Sequence, residues 1–335
     1  MDSEGPTRAR LISLVVPMHN EEPVIDTFFD AVVPILEGLT GRYEIVCVND
    51  GSRDGTLERL HRAREANPNI RIIDLSRNFG KEVALTAGID HTSGDAVIPI
   101  DADLQDPPDL IPALVEKWRD GYDMVLAVRG DRRSDSLTKR LTANFFYRLI
   151  GRISETPIPA NTGDFRLMDR QVVEALRSLP ERTRFMKGLF AWLGFRQTTV
   201  TYVRQPRAGG ETSWRYWRLW NFALEGIVSF TTLPLRVWSY LGLIFAFCAL
   251  VYMSVIVLRT LIYGVDIPGY ASLIVIILFF SGMNMIGLGI LGEYIGRVFI
   301  EVKQRPIYLI RDKFGFDEPA GRPTVVKLDQ AAASE

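Results

Sequence analysis

The stretch AVIPIDADLQDPPDLIPALVEKW, residues 96–118, decides the fold of this chain. Residues 96–100 form a short apolar run of strand length. Asp101 and Asp103 end that run, and a helical pattern opens over residues 110–118 behind Pro107 and Pro108. The same strand-then-helix unit precedes it along the chain. Residues 11–16, 44–48 and 70–75 read as strands, residues 23–39, 56–66 and 81–90 as helices, and residues 124–128 as a further strand. Alternation at this spacing predicts an α/β fold, a largely parallel sheet with helices on both faces. In such sheets ligands bind in the crevice beyond the carboxyl ends of the strands. The residues that follow each strand are therefore the ones to inspect.

After the fourth strand come Asp101, Asp103 and Gln105. Two carboxylates two residues apart, followed by an amide oxygen, offer hard oxygen ligands to Mg²⁺ or Mn²⁺ and leave open positions for a diphosphate. Aspartate is common in turns, so it is the place at a strand end that tips Asp101 and Asp103 towards function. Asp106, Pro107, Pro108 and Asp109 read as helix initiation, with an Asp cap and Pro in the first turn. After the second strand, NDGSRDGT at 49–56 puts Asp50 at the same edge, a candidate to hydrogen-bond a base or ribose, whereas Asp54 and Gly55 read as a turn and N-cap. Pro17, His19, Asn20 and Glu21 complete a third polar element after the first strand; a lone histidine such as His19 is more often structural than catalytic.

The C-terminal half is of another kind. Residues 237–258 and 267–292 are uncharged apolar runs. As a helix the shorter one is roughly 33 Å long, against about 30 Å for a bilayer core. Before them, residues 204–220 interleave Arg207, Arg215 and Arg218 with Trp214, Tyr216, Trp217 and Trp220, as a segment lying in the headgroup interface would. Arg215, Arg218 and Arg236 precede the first run, Arg297, Lys303, Arg305, Arg311 and Lys313 follow the second, and the loop at 263–270 has no Lys or Arg. By the positive-inside rule both chain ends face the cytoplasm. The sequence thus divides into a cytoplasmic catalytic domain (1–203), an interfacial amphipathic segment (204–235), two transmembrane helices (236–297) and a cytoplasmic tail (298–335) whose polar end reads as disordered. An integral protein of the cytoplasmic membrane is the expectation. GLGILG at 287–292 matches the G-x-G-x-x-G dinucleotide pattern, but it lies inside an apolar run and follows no strand, so it reads as small residues that let helices approach.

A net charge of −1 argues against a nucleic-acid partner, and two cysteines, Cys47 and Cys248, make no disulfide framework and fit a reducing compartment. Residues 1–10 are polar and mixed in charge, unlike a signal peptide. Between Arg129 and Arg152 basic residues outnumber acidic ones by five, a cluster suited to phosphates or anionic lipid heads, though any single member reads equally as solvated surface.

Taken together, VVPMHNEE at 15–22, VNDGSRDGT at 48–56 and DADLQDPP at 101–108 resemble the family 2 glycosyltransferases, which have a GT-A fold. NTGDFRLMDR at 161–170, KGLFAWLGF at 187–195 and GGETSW at 209–214 narrow the resemblance to the polyprenyl-phosphate glycosyltransferases, relatives of dolichyl-phosphate mannose synthase that include bactoprenol glucosyltransferases. It covers residues 10–312. His19 stands where an aromatic is usual, Asn161 where Asp is common and Lys187 where Arg is frequent.

The resemblance implies roles residue by residue. Pro17, Asn20, Glu21 and Asp50 would hold the nucleoside, Asp101 the ribose or diphosphate, with Lys187 a further nucleotide-sugar contact. Asp103 and Gln105 would hold Mg²⁺ or Mn²⁺. Arg129, Arg140, Arg207 and Ser213 would meet the acceptor phosphate, and Arg166 would act in catalysis with Asp103 and Asp164. Asp164 would steer a catalytic arginine or touch the sugar; a structural salt bridge is the alternative. The implied reaction is inverting transfer from a nucleotide sugar, with UDP-glucose as the expected donor and GDP-mannose or a modified UDP-sugar as alternatives, to polyprenyl (undecaprenyl) phosphate. A lipid phosphate has its second pKa near about 6, so it is already a nucleophile and needs no general base. The resemblance leaves room for a flippase partner and for homo-oligomers. Rival readings are a processive polysaccharide synthase, which would use a Q-x-x-R-W motif and more spans, and a non-catalytic membrane scaffold.

Overall fold

β1 (Ile12–Met18), β2 (Tyr43–Asn49), β3 (Ile70–Leu75) and β4 (Ala96–Pro99) form the parallel half of a sheet whose order is β7-β5-β6-β4-β1-β2-β3-β8. This is seen in a computed structural model that describes residues 10–40, 42–130, 162–182, 184, 186–202, 233–263 and 269–316. Arg140, Arg207, Ser213, Asn161 and the expected interfacial segment lie outside the described residues. The connecting helices are α1 (Ile25–Thr40), α2 (Thr56–Ala66) and α3 (Lys81–Asp90), followed by α4 (Ile111–Arg119). Every strand and helix expected in the first 130 residues forms.

β2 is buried at all of its positions, as a strand covered on both faces must be. Its alternation sorts the two cores. Ile45 and Cys47 join Leu14 and Val16 of β1 beneath α1, α2 and α4, while Val46, Val48 and Val15 face α3. Gly88 is where α3 comes closest to the sheet: a Cβ there would lie 2.3 Å from Val15 Cγ1 and 3.1 Å from Val48 Cγ2. Gly88→Ala is therefore expected to destabilise the domain by about 1–3 kcal/mol from overpacking, exceeding the roughly 1 kcal/mol that alanine contributes as a better helix former. Thermal denaturation checks it.

The other half of the sheet is mixed. β6 (Thr162–Asp169) runs antiparallel to both β4 and β5 (Met124–Arg129), and β7 (Gln197–Tyr202) is parallel to β5. α5 (Arg170–Ser178) and α6 (Met186–Trp192) cover this half with Val172, Val173, Met186 and Leu189. The chain moves outward from β1 to β3 and then returns to place β4 on β1's other side. That reversal opens a crevice at the carboxyl ends of β1 and β4.

α7 (Leu233–Tyr263) and α8 (Tyr270–Val302) are 31 and 33 residues long. Within α7, residues Val237–Tyr263 are apolar and long enough to cross a membrane, and none of that span is buried within the protein. Large apolar side chains lie open along both helices, including Leu243 at 70 %, Leu261 at 80 % and Ile286 at 60 %. Such a surface is built for apolar surroundings. Gly287 sits where α7 and α8 cross: a Cβ there would lie 2.1 Å from Trp238 Nε1, so the glycine of the G-x-G-x-x-G match serves helix packing.

After α8 the chain returns to the catalytic sheet. β8 (Ile310–Phe314) pairs antiparallel with β3, and Leu309 accepts a hydrogen bond from the Ser76 amide at 2.9 Å. The expected division at residue 203, with a tail from 298, therefore leaves out one strand of the domain. β8 is short and carries Arg311, Asp312 and Lys313, so it shows no apolar alternation, and its partner β3 lies far back in the chain, with Arg311 and Ser76 235 residues apart. The end of α8 is tied down as well. The Glu301 carboxylate accepts from the Arg182 amide at 3.0 and 3.1 Å, and the Tyr308 hydroxyl donates to Asp90 Oδ2 at 2.8 Å.

Candidate active site

The loops after β1, β2 and β4 and the first turn of α3 enclose a cavity of about 310 Å³, lined by Pro17, His19, Glu21, Asp50, Lys81, Asp101 and Asp103 among others. Each loop is held by its neighbours. Asn20 adopts a left-handed backbone, φ 56°, which asparagine tolerates better than most residues. Its amide donates to Ser52 Oγ at 3.0 Å and its Oδ1 accepts from the Arg53 amide at 2.9 Å. His19 Nδ1–H donates to the Asp50 carbonyl at 2.8 Å, which leaves Nε2 to accept from the Asn20 side-chain amide at 3.2 Å. Gly51, at φ 61°, has Arg77 C only 2.4 Å from where a Cβ would stand, so only glycine lets the two loops meet.

Asp50 is buried, and both of its oxygens serve the β3–α3 loop: Oδ1 accepts from the Phe79 amide at 2.7 Å and Oδ2 from the Gly80 amide at 2.9 Å. It lines the cavity, yet its carboxylate already shapes the wall there. Gly80, at φ 98°, then starts α3 with Lys81 aimed into the crevice. Lys81 Nζ lies 2.7 Å from each oxygen of Asp101 and 2.9 Å from Asp164 Oδ2. Burial opposes the charge on Lys81, but the two carboxylates outweigh it and hold the ammonium well above the usual lysine range. The Asp101 carboxyl is pushed up by desolvation, and by Asp164 and Asp106, against the pull of Lys81.

Asp103 follows on the crevice rim, with Oδ1 accepting from the Gln105 amide at 3.2 Å. Leu104 between them has φ 54°, a strained conformation for a leucine and of the kind that collects at functional sites. Glu21 faces this group across the crevice. Burial raises its carboxyl, and Asp103, Asp101 and Asp54 raise it further. The crevice thus holds more negative charge than Lys81 balances. Among the described residues no three acidic or His/Cys side chains converge tightly enough to hold a metal by themselves. A site supplying only one or two carboxylates and leaving the rest of the sphere open is what Mg²⁺ or Mn²⁺ with a bound diphosphate requires, so the residues fit such an ion.

Pro17, Glu21, Asp50, Asp101 and Asp103 are thus brought together as expected, and Asp164 reaches the group through Lys81. Others stand elsewhere. Gln105, expected as a metal ligand, is 3 % exposed, and its Nε2 has no hydrogen-bond partner among the described residues. Arg166, expected to act in catalysis, is 2 % exposed. Its Nη2 donates to the Gly163 carbonyl at 2.7 Å and its Nε to the Asp164 carbonyl at 3.3 Å, with the guanidinium 4.0 Å over the Phe190 ring. Burial pushes that guanidinium down to about 10, against the carboxylates of Asp164 and Glu82. Arg166 braces the backbone of Asp164 from behind, because the apolar pocket of α6 captures its side chain. Asp106 caps no helix; it is buried and accepts the Tyr202 hydroxyl, tying the β4 loop to β7. Asp54 does act as read, its Oδ1 accepting from the Thr56 amide and hydroxyl at 3.1 and 2.6 Å. Arg129 closes β5 and Lys187 lies in α6; their side chains are not among those described. Lys81 itself carries no signal in sequence, because a lysine in the first turn of a helix is ordinary.

Residues 13–177 match the family described as glycosyl transferase family 2, and the chain is 57% identical over 306 residues to an uncharacterized glycosyltransferase of Synechocystis, covering 91% of this chain and 96% of that protein. This chain belongs to glycosyltransferase family 2. It is also 51% identical to a prophage bactoprenol glucosyl transferase homolog of Escherichia coli K12, over 90% of this chain and 98% of the relative, and equally so to the bactoprenol glucosyl transferase of Shigella phage SfII, over 90% and 97%. Among solved structures it resembles glucosyl-3-phosphoglycerate synthase of Mycobacterium tuberculosis, with a TM-score of 0.48, 24% identity and coverage of 65% and 76%. As a family 2 glycosyltransferase with a GT-A fold, it has its crevice at the reversal of strand order between β1 and β4.

Proposed function

We propose that this glycosyltransferase transfers glucose from UDP-glucose to the phosphate of a polyprenyl (undecaprenyl) lipid, with inversion, at the cytoplasmic face of the membrane. One observation carries the reading: a carboxylate-rich donor crevice belongs to the same chain as an open apolar helix of membrane-crossing length. The relatives named bactoprenol glucosyl transferase support glucose and a polyprenyl acceptor. The return of β8 to the sheet supports a second crossing. A chain that crosses once in α7 and still adds its later strand to the same domain must cross back, and α8 is the helix between.

Asp103, with Glu21 across the crevice, would hold the divalent cation, and Gln105 would join them only by turning its side chain. When bound, the cation neutralises charge that develops on the departing diphosphate. The β1 and β2 loops, anchored through Asn20, Asp50 and Ser52, would face the nucleoside, and Lys187 would add a further contact. Arg129, Arg140, Arg207 and Ser213 would orient the acceptor phosphate, which is anionic and attacks without a base. A flippase for the product and a homo-oligomer remain within the reading.

Because Glu21 is raised, cation binding must displace protons as pH falls. Mn²⁺ affinity is expected to drop as pH is lowered from about 7 to about 5, more steeply than it would at an ordinary glutamate site. Titration calorimetry at the two pH values measures it.

The reading is tested by incubating detergent-purified protein with undecaprenyl phosphate, Mg²⁺ and a panel of labelled nucleotide sugars. Label passing into the lipid phase from UDP-glucose alone supports it. Transfer from GDP-mannose or a modified UDP-sugar would replace the donor, an α-linked product would remove the single displacement, and no transfer from any donor would remove the acceptor.

A further inference from the structure

Lys81 is the group that the expected site did not include, and it stands at a weak point of the sheet. β4 pairs with β6 only through Ala96↔Asp169 and Val97↔Met168, at the end away from the crevice. Towards the crevice no ladder joins the two strands among the described residues, and Asp101 at the end of β4 faces Asp164 on β6 with like charge. Lys81 Nζ, 2.7 Å from one carboxylate and 2.9 Å from the other, bridges that gap. The ammonium is placed from outside by Asp50, which holds the Phe79 and Gly80 amides just before it.

We propose that Lys81 is a positioning residue for sugar transfer, drawing Asp164 and Asp101 to one ammonium across the open end of β4 and β6 so that Asp164 meets the donor at a fixed place. Stability alone does not account for it. The Lys81 and Asp101 side chains are 45 % and 35 % exposed, where an ion pair contributes little to stability, and the more enclosed partner is Asp164 at 16 %. For positioning the balance differs, since a misplacement of about 1 Å at a reacting group costs about 100-fold in rate. Arg166 fixes the Asp164 backbone from behind, and Lys81 holds Oδ2 of its carboxylate at 2.9 Å. The inference rests on the transfer reaction proposed above.

The test compares wild type, Lys81→Met, Lys81→Arg, Asp164→Asn and the double variant Lys81→Met/Asp164→Asn. Lys81→Met is expected to lower kcat about 100-fold with the donor KM and the Kd for UDP with Mn²⁺ changed less than about 3-fold. Lys81→Arg restores kcat to within about 10-fold of wild type, and the double variant is no slower than Asp164→Asn, because the two residues act as a unit. A loss of UDP affinity matching the loss of kcat would make Lys81 a direct diphosphate contact and overturn the proposal. So would losses that multiply in the double variant. Crystal structures of wild type and Lys81→Met give a readout free of activity: the Asp164 carboxylate is expected to swing away from Asp101, and an unmoved carboxylate refutes positioning. If wild type transfers nothing to polyprenyl phosphate, the acceptor reading fails, while the crystallographic comparison still decides Lys81.

Discussion

Asp103→Asn is expected to lower the rate of sugar transfer about 1,000-fold while leaving the melting temperature unchanged. Asparagine keeps the side-chain oxygen that accepts from the Gln105 amide, so the strained turn at Leu104 retains its brace. What disappears is a negative charge on the crevice rim. Lys81 already answers Asp101 and Asp164, and the remaining cation would bind to Asp103 and Glu21. Losing one anionic ligand at the point where diphosphate charge develops is worth about 4 kcal/mol of transition-state stabilisation, which is the stated factor. A transfer assay in saturating Mn²⁺, with a melting curve alongside, measures both quantities. A fall in melting temperature equal to that of a core variant would mean that Asp103 is structural.

Ending the chain after Arg305, which keeps both long helices and removes β8, is expected to destabilise the catalytic domain by about 5 kcal/mol, a large share of the usual 5–15 kcal/mol margin. Tyr308, Ile310 and Phe316 pack on the cluster of Val46, Val48 and Ile73, and Phe314 stacks edge-on against His61 at 4.4 Å. Half-burial of four such side chains contributes about 1 kcal/mol each, with the ladder to β3 added. The truncation also strips Arg311 from Asp74. Asp74 is 1 % exposed and accepts from Asn49 Nδ2 at 2.7 Å, while Arg311 reaches its other oxygen at 3.3 Å. Asn49 in turn accepts from the Ser52 amide, so the strand that follows the two long helices braces the loop after β2. UDP binding should therefore weaken along with the melting temperature. Arg311→Ala in the full chain separates the two effects: it should weaken nucleotide binding with only a small shift in melting. An unchanged affinity would confine β8 to stability.

The parallel half of the fold was readable because each strand and helix there buries an apolar face at its own period, and because its connections are short. The D-x-D turn, Asp50 and the β1 loop were readable for the same reason, since strand ends can be located once strands can. Arg166 and Gln105 are not placed where their chemistry suggests. A guanidinium and an amide next to acidic residues promise ligand contacts, yet both side chains are taken into the protein interior. Asp106 likewise had the local signature of a cap and is instead used by Tyr202, far along the chain.

The amino-acid sequence by itself determined the α/β class, the carboxylates at the strand ends and the apolar character of the C-terminal helices, since these follow from local periodicity and composition. Only the tertiary structure decided that Lys81 joins Asp101 to Asp164, that Arg166 is turned inward, and that the segment after α8 completes the catalytic sheet. Those are contacts between residues distant in the chain. They are selected by how whole elements pack, and no local pattern encodes which distant charge a lysine will meet or which sheet edge a polar strand will close.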